Sequence, residues 1–174
     1  SHVDRSILDS TPFLHNNIAG VQSLLEAVRR VSVDRFLHIS TDEVYGDKEG
    51  KAPSNEESGL APSSPYSATK AAADLLCFSY RRTYDLPIVI TRSSNNYGPY
   101  QFPEKLIPLL LRNGLGGRDF PVYGDGQQLR DWIHVEDNCR GLLAVLEKGQ
   151  IGSIYNIGTS EERSNLAVVK AICA

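Results

Sequence analysis

Between Pro12 and Val31 the apolar residues Phe13, Ile18, Val21, Leu24, Leu25 and Val28 recur mostly at three- and four-residue intervals, which predicts one amphipathic helix. The next apolar run, Val33 to Ile39, is short and reads as a strand whose end meets the polar segment Ser40-Thr41-Asp42-Glu43. A polar loop with Gly46, Gly50, Pro53 and Gly59 follows. Ser64-Pro65 then supplies a hydroxyl N-cap and a proline at the first helical position. The spacing predicts a helix from Pro65 to Tyr84 with Ala68, Ala71, Ala72, Leu75, Leu76 and Cys77 as its apolar stripe, ended by Asp85-Leu86-Pro87. Ile88-Val89-Ile90-Thr91 is a compact β-branched run of the kind buried on both faces. Strand, helix and strand in that order predict a βαβ unit and a parallel sheet.

Beyond Asn95 the elements shorten. The pattern predicts a helix from Glu104 to Arg112, a strand from Phe120 to Tyr123, turns at Gly124 and Gly126, and a helix to Lys148 capped by Asp137 or Asn138. A strand over Ile154–Ile157 and a last helix from Asn165 complete the reading. The expected class is α/β: a partial Rossmann-like parallel sheet, its second half, with part of a smaller substrate-binding domain. Residues 1–95 would carry the sheet and the catalytic groups, and 96–174 mainly ligand-binding elements interleaved with it.

The 174 residues are 41% hydrophobic and 22% charged, an ordinary globular composition with enough apolar mass for a sizeable core. A net charge of −3 gives no basic footprint, so nucleic acid and anionic membranes are not expected partners. No apolar run approaches the roughly 20 residues of a membrane span. Cys77, Cys139 and Cys173 are odd in number, far apart and without metal-ligand spacing, which suits buried thiols in a reducing cytoplasm. Neither these nor His2, His15, His38 and His134 suggest a metal site. The absence of methionine and the polar opening are expected of part of a longer polypeptide.

Four segments carry candidate chemistry. Tyr66 and Lys70, four apart, share one helix face, where an ammonium beside a phenol would stabilise phenolate and make a general base. With eight tyrosines and six lysines in the chain, such a pair arises by chance in roughly a quarter of cases, so a solvated face competes with that reading. Thr41-Asp42-Glu43 places a hydroxyl and two carboxylates at a strand's carboxyl end, where α/β sheets bind ligands. Carboxylates sharing a cleft can differ in pKa and serve as acid and base, although a capped turn explains the same tripeptide. Asn95-Asn96-Tyr97-Gly98-Pro99-Tyr100 is rich in groups that both donate and accept, in a turn or a cleft. Tyr123, Arg130 and Trp132 flank Gly124-Asp125-Gly126 and could stack on and neutralise a nucleotide diphosphate, or Arg130 could pair with Asp125 or Asp131.

These segments, with Ser1-His2-Val3-Asp4-Arg5-Ser6, Val44-Tyr45-Gly46, Ser67-Ala68-Thr69 and Gln101-Phe102-Pro103-Glu104-Lys105-Leu106-Ile107-Pro108, together resemble the dTDP-glucose 4,6-dehydratases of the extended short-chain dehydrogenase/reductase superfamily. The resemblance runs in order along nearly the whole chain. It implies a homodimeric cytoplasmic enzyme that uses NAD to convert dTDP-glucose to a 4-keto-6-deoxy sugar. Tyr66 would take the 4-hydroxyl proton while NAD oxidises carbon 4, with Lys70 tuning Tyr66 and holding the nicotinamide ribose. Glu43 would remove the carbon-5 proton, Asp42 would protonate the departing 6-hydroxyl, and Thr41 would hold the 4-oxygen. Ser1, Asn16 and Asn96 are implied on the cofactor side. Ser1, Asn95, Lys105, Leu106, Pro121, Tyr123, Arg130 and Asn165 are implied around the nucleotide sugar. Dimerisation is implied through the helices 12–31 and 65–84.

Two departures stand out. Asn16 replaces the usual threonine, and the sequence contains no glycine-rich strand-to-helix turn for the NAD pyrophosphate. Weak NAD binding by this chain alone is therefore expected. The competing readings are a non-catalytic piece, or a UDP-sugar 4-epimerase or decarboxylase. The last two share the Tyr and Lys pair but do not need Asp42-Glu43.

Overall fold

The computed structural model describes residues 3–47, 52–120, 122 and 124–173. The protein is α/β and divides into two compact units, residues 1–93 with 141–157 and residues 94–140 with 158–174.

The first unit opens with α1 (Val3–Leu8) and a helical run made of α2 (Thr11–Phe13), a π-helical stretch (Leu14–Ala19) and α3 (Gly20–Arg30). The single helix expected over 12–31 is thus interrupted by a wider π turn, and only Leu25 is fully buried while Leu24 is 56% exposed. β1 (Phe36–Thr41) begins three residues later than expected and continues through Thr41. A 3-10 turn (Asp42–Tyr45) follows it directly.

α4 (Pro65–Tyr84) has the expected bounds. Ser64 and Ser67 form a reciprocal capping box at its start, and Asp85 adopts the left-handed conformation at its end, which a short polar side chain tolerates. The buried face differs from the apolar stripe read from the sequence. Ser67, Thr69, Ala71, Ala73, Asp74 and Cys77 turn inward, whereas Leu75 is 58% exposed. Polar residues can face inward here because they are hydrogen-bonded: Thr69 Oγ1, for example, donates to Tyr66 O and accepts from Asn17 Nδ2.

β2 (Ile88–Ser93) is buried at every position and pairs in parallel with β1, Phe36 opposite Ile88 through Thr41 opposite Ser93. Leu25, Cys77, Leu86, Ile88 and Ile90 form the main core, each large aliphatic chain contributing about 1.5–3 kcal/mol through burial. Val44, Tyr45 and Ala71 form a smaller cluster under the turn. The expectation of three buried thiols holds only for Cys77; Cys139 and Cys173 are exposed.

Four further elements precede the last strand of this sheet: β3 (Asn95–Tyr97), α5 (Leu106–Leu115), β4 (Leu129–His134) and α6 (Val135–Lys148). β5 (Ile154–Ile157) pairs in parallel with β2, giving the sheet order β1-β2-β5. β6 (Glu162–Ser164) and α7 (Asn165–Cys173) close the chain.

In the second unit β3 pairs in parallel with β4, and β4 pairs antiparallel with β6. These three strands are absent from the sequence-based reading: two have only three residues, and β4 mixes charged and apolar positions, so neither shows a period. α5 starts at Leu106 rather than Glu104, and α6 at Val135 rather than near Asp137. The strand expected over 120–123 falls partly on Pro121 and Tyr123, outside the described residues; Phe120 and Val122 are not in a strand. Among the described residues no helix is long and apolar enough to cross a membrane.

Candidate active site

Thr41 is the last residue of β1 and caps the turn that follows. Its Oγ1 accepts from Glu43 N at 3.3 Å and donates to Asp42 Oδ1 at 3.2 Å. The structure thus shows the capped-turn reading of this tripeptide, with the cap holding the Asp42 carboxylate at the carboxyl end of a parallel strand. Gly46 ends the turn with φ +74°, and a Cβ there would overlap the Ala61 carbonyl. Only glycine lets the two backbones approach this closely. Ala61 N donates to Val44 O at 3.0 Å, pinning the turn to the following loop.

Tyr66 and Lys70 stand in the first two turns of α4, both partly buried. The Tyr66 ring meets Phe13 edge to face, with centroids 6.1 Å apart. Its backbone N donates to Ser6 Oγ at 3.0 Å, and Ser6 is 1% exposed. Ser6 thus fixes the start of α4 against α1, a role that a serine in a short polar segment gave no sign of in the sequence.

The electrostatics depart from the expected pairing. Burial, then Glu43, then Asp42 push the Tyr66 phenol up to about 12, because each disfavours phenolate. Lys70 does not offset them: its Nζ donates to Ile39 O at 2.7 Å, and burial holds its pKa below the ordinary value. Four-residue spacing put the two groups on one face, but the lysine's reach took it to the β1 backbone. The effect of Glu43 and Asp42 on Tyr66 also places the two carboxylates and the phenol in one electrostatic neighbourhood.

Asn16 is exposed on the π-helical stretch, and its neighbour Asn17 makes the bond to Thr69. Ser1, like Pro121 and Tyr123, lies outside the described residues.

In the second unit Asn95 and Asn96 occupy β3, opposite Trp132 and Ile133 of β4. Asn96 Nδ2 donates to Ser94 O at 3.0 Å. Lys105 is the N-cap residue of α5, Leu106 its first residue, and Asn165 the first residue of α7. Arg130 Nη1 donates to Leu129 O at 2.7 Å. Asp131, considered as its partner, instead accepts from the backbone of Thr159 and Ser160, and Asp125 Oδ1 accepts from Gln127 N.

Parallel strands, with a helix start carrying tyrosine and lysine beside a polar turn, place the chain among α/β proteins with a Rossmann-like sheet. Residues 1–158 match the NAD dependent epimerase/dehydratase family, and the chain belongs to that family. It is 55% identical over 173 residues to the low-salt glycan biosynthesis protein Agl12 of Haloferax volcanii, covering 99% of this chain and 55% of that one. It is 51% identical over 183 residues to the dTDP-glucose 4,6-dehydratase of Xanthomonas campestris pv. campestris, covering 100% of this chain and 52% of that one. Among solved structures, the dTDP-glucose 4,6-dehydratase of Bacillus anthracis in complex with NAD superimposes with a TM-score of 0.91 at 49% identity, covering 94% and 53%. The chain thus spans about half the length of the curated relatives it matches.

Proposed function

We propose that this chain supplies the acid–base machinery of a nucleotide-sugar 4,6-dehydratase acting on dTDP-glucose with NAD. The observation that carries the reading is the capped turn at the end of β1, whose two carboxylates both act on the Tyr66 phenol. The residues fit the catalytic end of the cofactor. Tyr66 and Lys70 offer a hydroxyl and an ammonium one turn apart for a ribose, and Ser93 Oγ is buried without a partner at the carboxyl end of β2. Asn16, Asn96 and Ser1 are proposed on the same ligand. Asn95, Lys105, Leu106, Pro121, Tyr123, Arg130 and Asn165 are proposed around the nucleotide.

Bound NAD would supply the redox chemistry, as hydride acceptor from carbon 4 of the sugar and, once reduced, hydride donor to carbon 6. Tyr66 would hydrogen-bond the 4-oxygen and, after losing its own proton to solvent against the opposition of burial, Glu43 and Asp42, would accept the 4-hydroxyl proton. The resulting 4-ketone acidifies carbon 5. Glu43 removes that proton, and Asp42 gives one to the 6-hydroxyl, which leaves as water. Glu43 later reprotonates carbon 5. Thr41 would hydrogen-bond the 4-oxygen by turning to it the single hydroxyl proton that it gives Asp42 Oδ1 here.

An epimerase reading uses Tyr66 and Lys70 alone and leaves Asp42-Glu43 without a task. The test is the full-length protein with NAD and dTDP-glucose, parent against Glu43→Gln. The parent should release a 4-keto-6-deoxy sugar, while the variant should accumulate reduced nicotinamide and stall. Normal turnover by the variant removes Glu43 from the mechanism, and a 4-epimer from the parent removes the dehydratase reading.

Self-association through the helical run 11–30 and α4 is proposed as well. Leu14, Leu24 and Leu75 are about half exposed on those helices, at 49%, 56% and 58%, and Leu14 lines a shallow groove with Ile18, Pro65 and Ala68. Sedimentation of a Leu75→Glu variant should show monomer if this face joins two copies.

A further inference from the structure

The first unit holds a buried ionic network that the proposed chemistry does not use. Asp74, on α4, is 0% exposed and Arg92, on β2, is 2% exposed. Arg92 Nε donates to Asp74 Oδ2 at 3.0 Å. His38 Nε2, on β1, approaches Asp74 Oδ1 to 3.3 Å without the alignment of a full hydrogen bond. From its other end Arg92 Nη1 donates to Tyr45 Oη at 2.9 Å, and its guanidinium carbon lies 4.8 Å from the centre of the Tyr45 ring. Tyr45 Oη in turn donates to Asn156 Oδ1 on β5 at 2.8 Å. One chain of contacts therefore joins α4, all three strands of the sheet and the last residue of the Asp42–Tyr45 turn.

Such a network is weak evidence for stability, since desolvating two charges consumes much of what their attraction returns. Its connections are more informative. Asp74 follows Lys70 by one helical turn, and His38 precedes Ile39, whose carbonyl receives Lys70. Tyr45 ends the turn that begins with Asp42 and Glu43. Thr41 restrains that turn at its start, and Arg92 and Asn156 restrain it at its end. Arg92 spans the gap because a planar fork can bond a carboxylate and a phenol in two directions at once, which the point charge of a lysine does less well.

We propose that Asp74 and Arg92 are positioning residues for dehydration: acting through the Tyr45 hydroxyl, they set where the Asp42 and Glu43 carboxylates stand relative to Tyr66 and Lys70. The role rests on the dehydratase reading above, but its geometric content does not. Misplacing a reacting group by about 1 Å can cost on the order of 100-fold in rate, so a rigid anchor beneath the turn has a direct catalytic use.

Asp74→Asn could simply unfold the protein, so the informative variants are Tyr45→Phe, which removes one oxygen, and Arg92→Lys, which keeps the charge beside Asp74. Amide exchange at Gly46 and Ala61 reports on the turn, and exchange at Ile90, bonded to Ser153 O, reports on the sheet. Both variants should speed exchange at Gly46 and Ala61 about tenfold or more while Ile90 stays within about twofold of the parent. The Tyr66 phenol should titrate lower as the carboxylates gain freedom to move away. In the full-length protein with NAD and dTDP-glucose, kcat should fall about tenfold or more with KM unchanged, and reduced nicotinamide should still form.

Parent-like exchange at Gly46 and Ala61 with a parent-like Tyr66 titration in both variants overturns the proposal. Loosening of Ile90 to the same degree also overturns it, because the network would then be purely structural. If the parent turns over no sugar, the dehydratase reading fails by itself, and exchange and titration still decide the positioning claim.

Discussion

Neutralising the two carboxylates of the turn should make Tyr66 a stronger acid, and the size of the change can be bounded. Its phenol stands at about 12 against an ordinary 10.0. At about 1.4 kcal/mol per pH unit this is roughly 3 kcal/mol against phenolate. Burial is the largest of the three causes and Glu43 and Asp42 follow, so the pair accounts for less than two-thirds of the effect. The double variant Asp42→Asn with Glu43→Gln should therefore lower the Tyr66 midpoint by about one pH unit and leave it above the ordinary value. Glu43→Gln alone should do more than Asp42→Asn alone. The assay is phenolate absorbance across alkaline pH, with the Tyr66→Phe protein subtracted to remove the other seven of eight tyrosines. An unmoved midpoint in the double variant would refute the shared neighbourhood of phenol and carboxylates. The same displacement predicts stability: the folded chain keeps its Tyr66 proton while the unfolded chain loses it, so stability is full below about pH 10 and falls as pH rises towards 12.

Cys77 reinforces that alkaline loss, since burial first and then Asp74 push its thiol up to about 12 from 9.0. A thiol reagent at neutral pH should modify Cys139 and Cys173 readily and Cys77 only on unfolding; rapid labelling of Cys77 in the folded chain would contradict its burial. Gly46→Ala forces a side chain into a left-handed backbone and onto the Ala61 carbonyl, and should lower stability by more than about 2 kcal/mol in denaturant titration. Ser64→Ala removes the hydroxyl that accepts from Ser67 N and should cost about 1 kcal/mol, read as a lower melting temperature; an unchanged melt would show that the capping box is idle.

Comparison of particular elements separates what was legible from what was not. α4 could be bounded closely because its start and end are written in local chemistry, Ser64-Pro65 at one end and Asp85-Leu86-Pro87 at the other. β2 was legible because its β-branched run admits little else, and β5 because its short apolar stretch stands between a glycine turn and a polar loop. The placement of Thr41, Asp42 and Glu43 at a strand's carboxyl end also followed from the sequence.

The π turn inside the first long helix was not legible, since apolar spacing changes little when one turn widens. Nor were β3, β4 and β6, because strands this short are stabilised by the ladder they join rather than by their own composition. Four-residue spacing correctly put Tyr66 and Lys70 on one face of α4, yet the ammonium bonds Ile39 O and the phenol becomes a weaker acid than free tyrosine. Asp74 looked like any helix carboxylate, and Ser6 like any polar residue in a short segment. Both are buried, and both touch residues distant in the chain.

Local signals thus determined elements such as α4, β2 and β5 and which chemical groups stand at the end of β1. Only the tertiary structure decided which charges face one another, because long-range packing sets the distances and burial on which every pKa and every hydrogen-bond choice here depends.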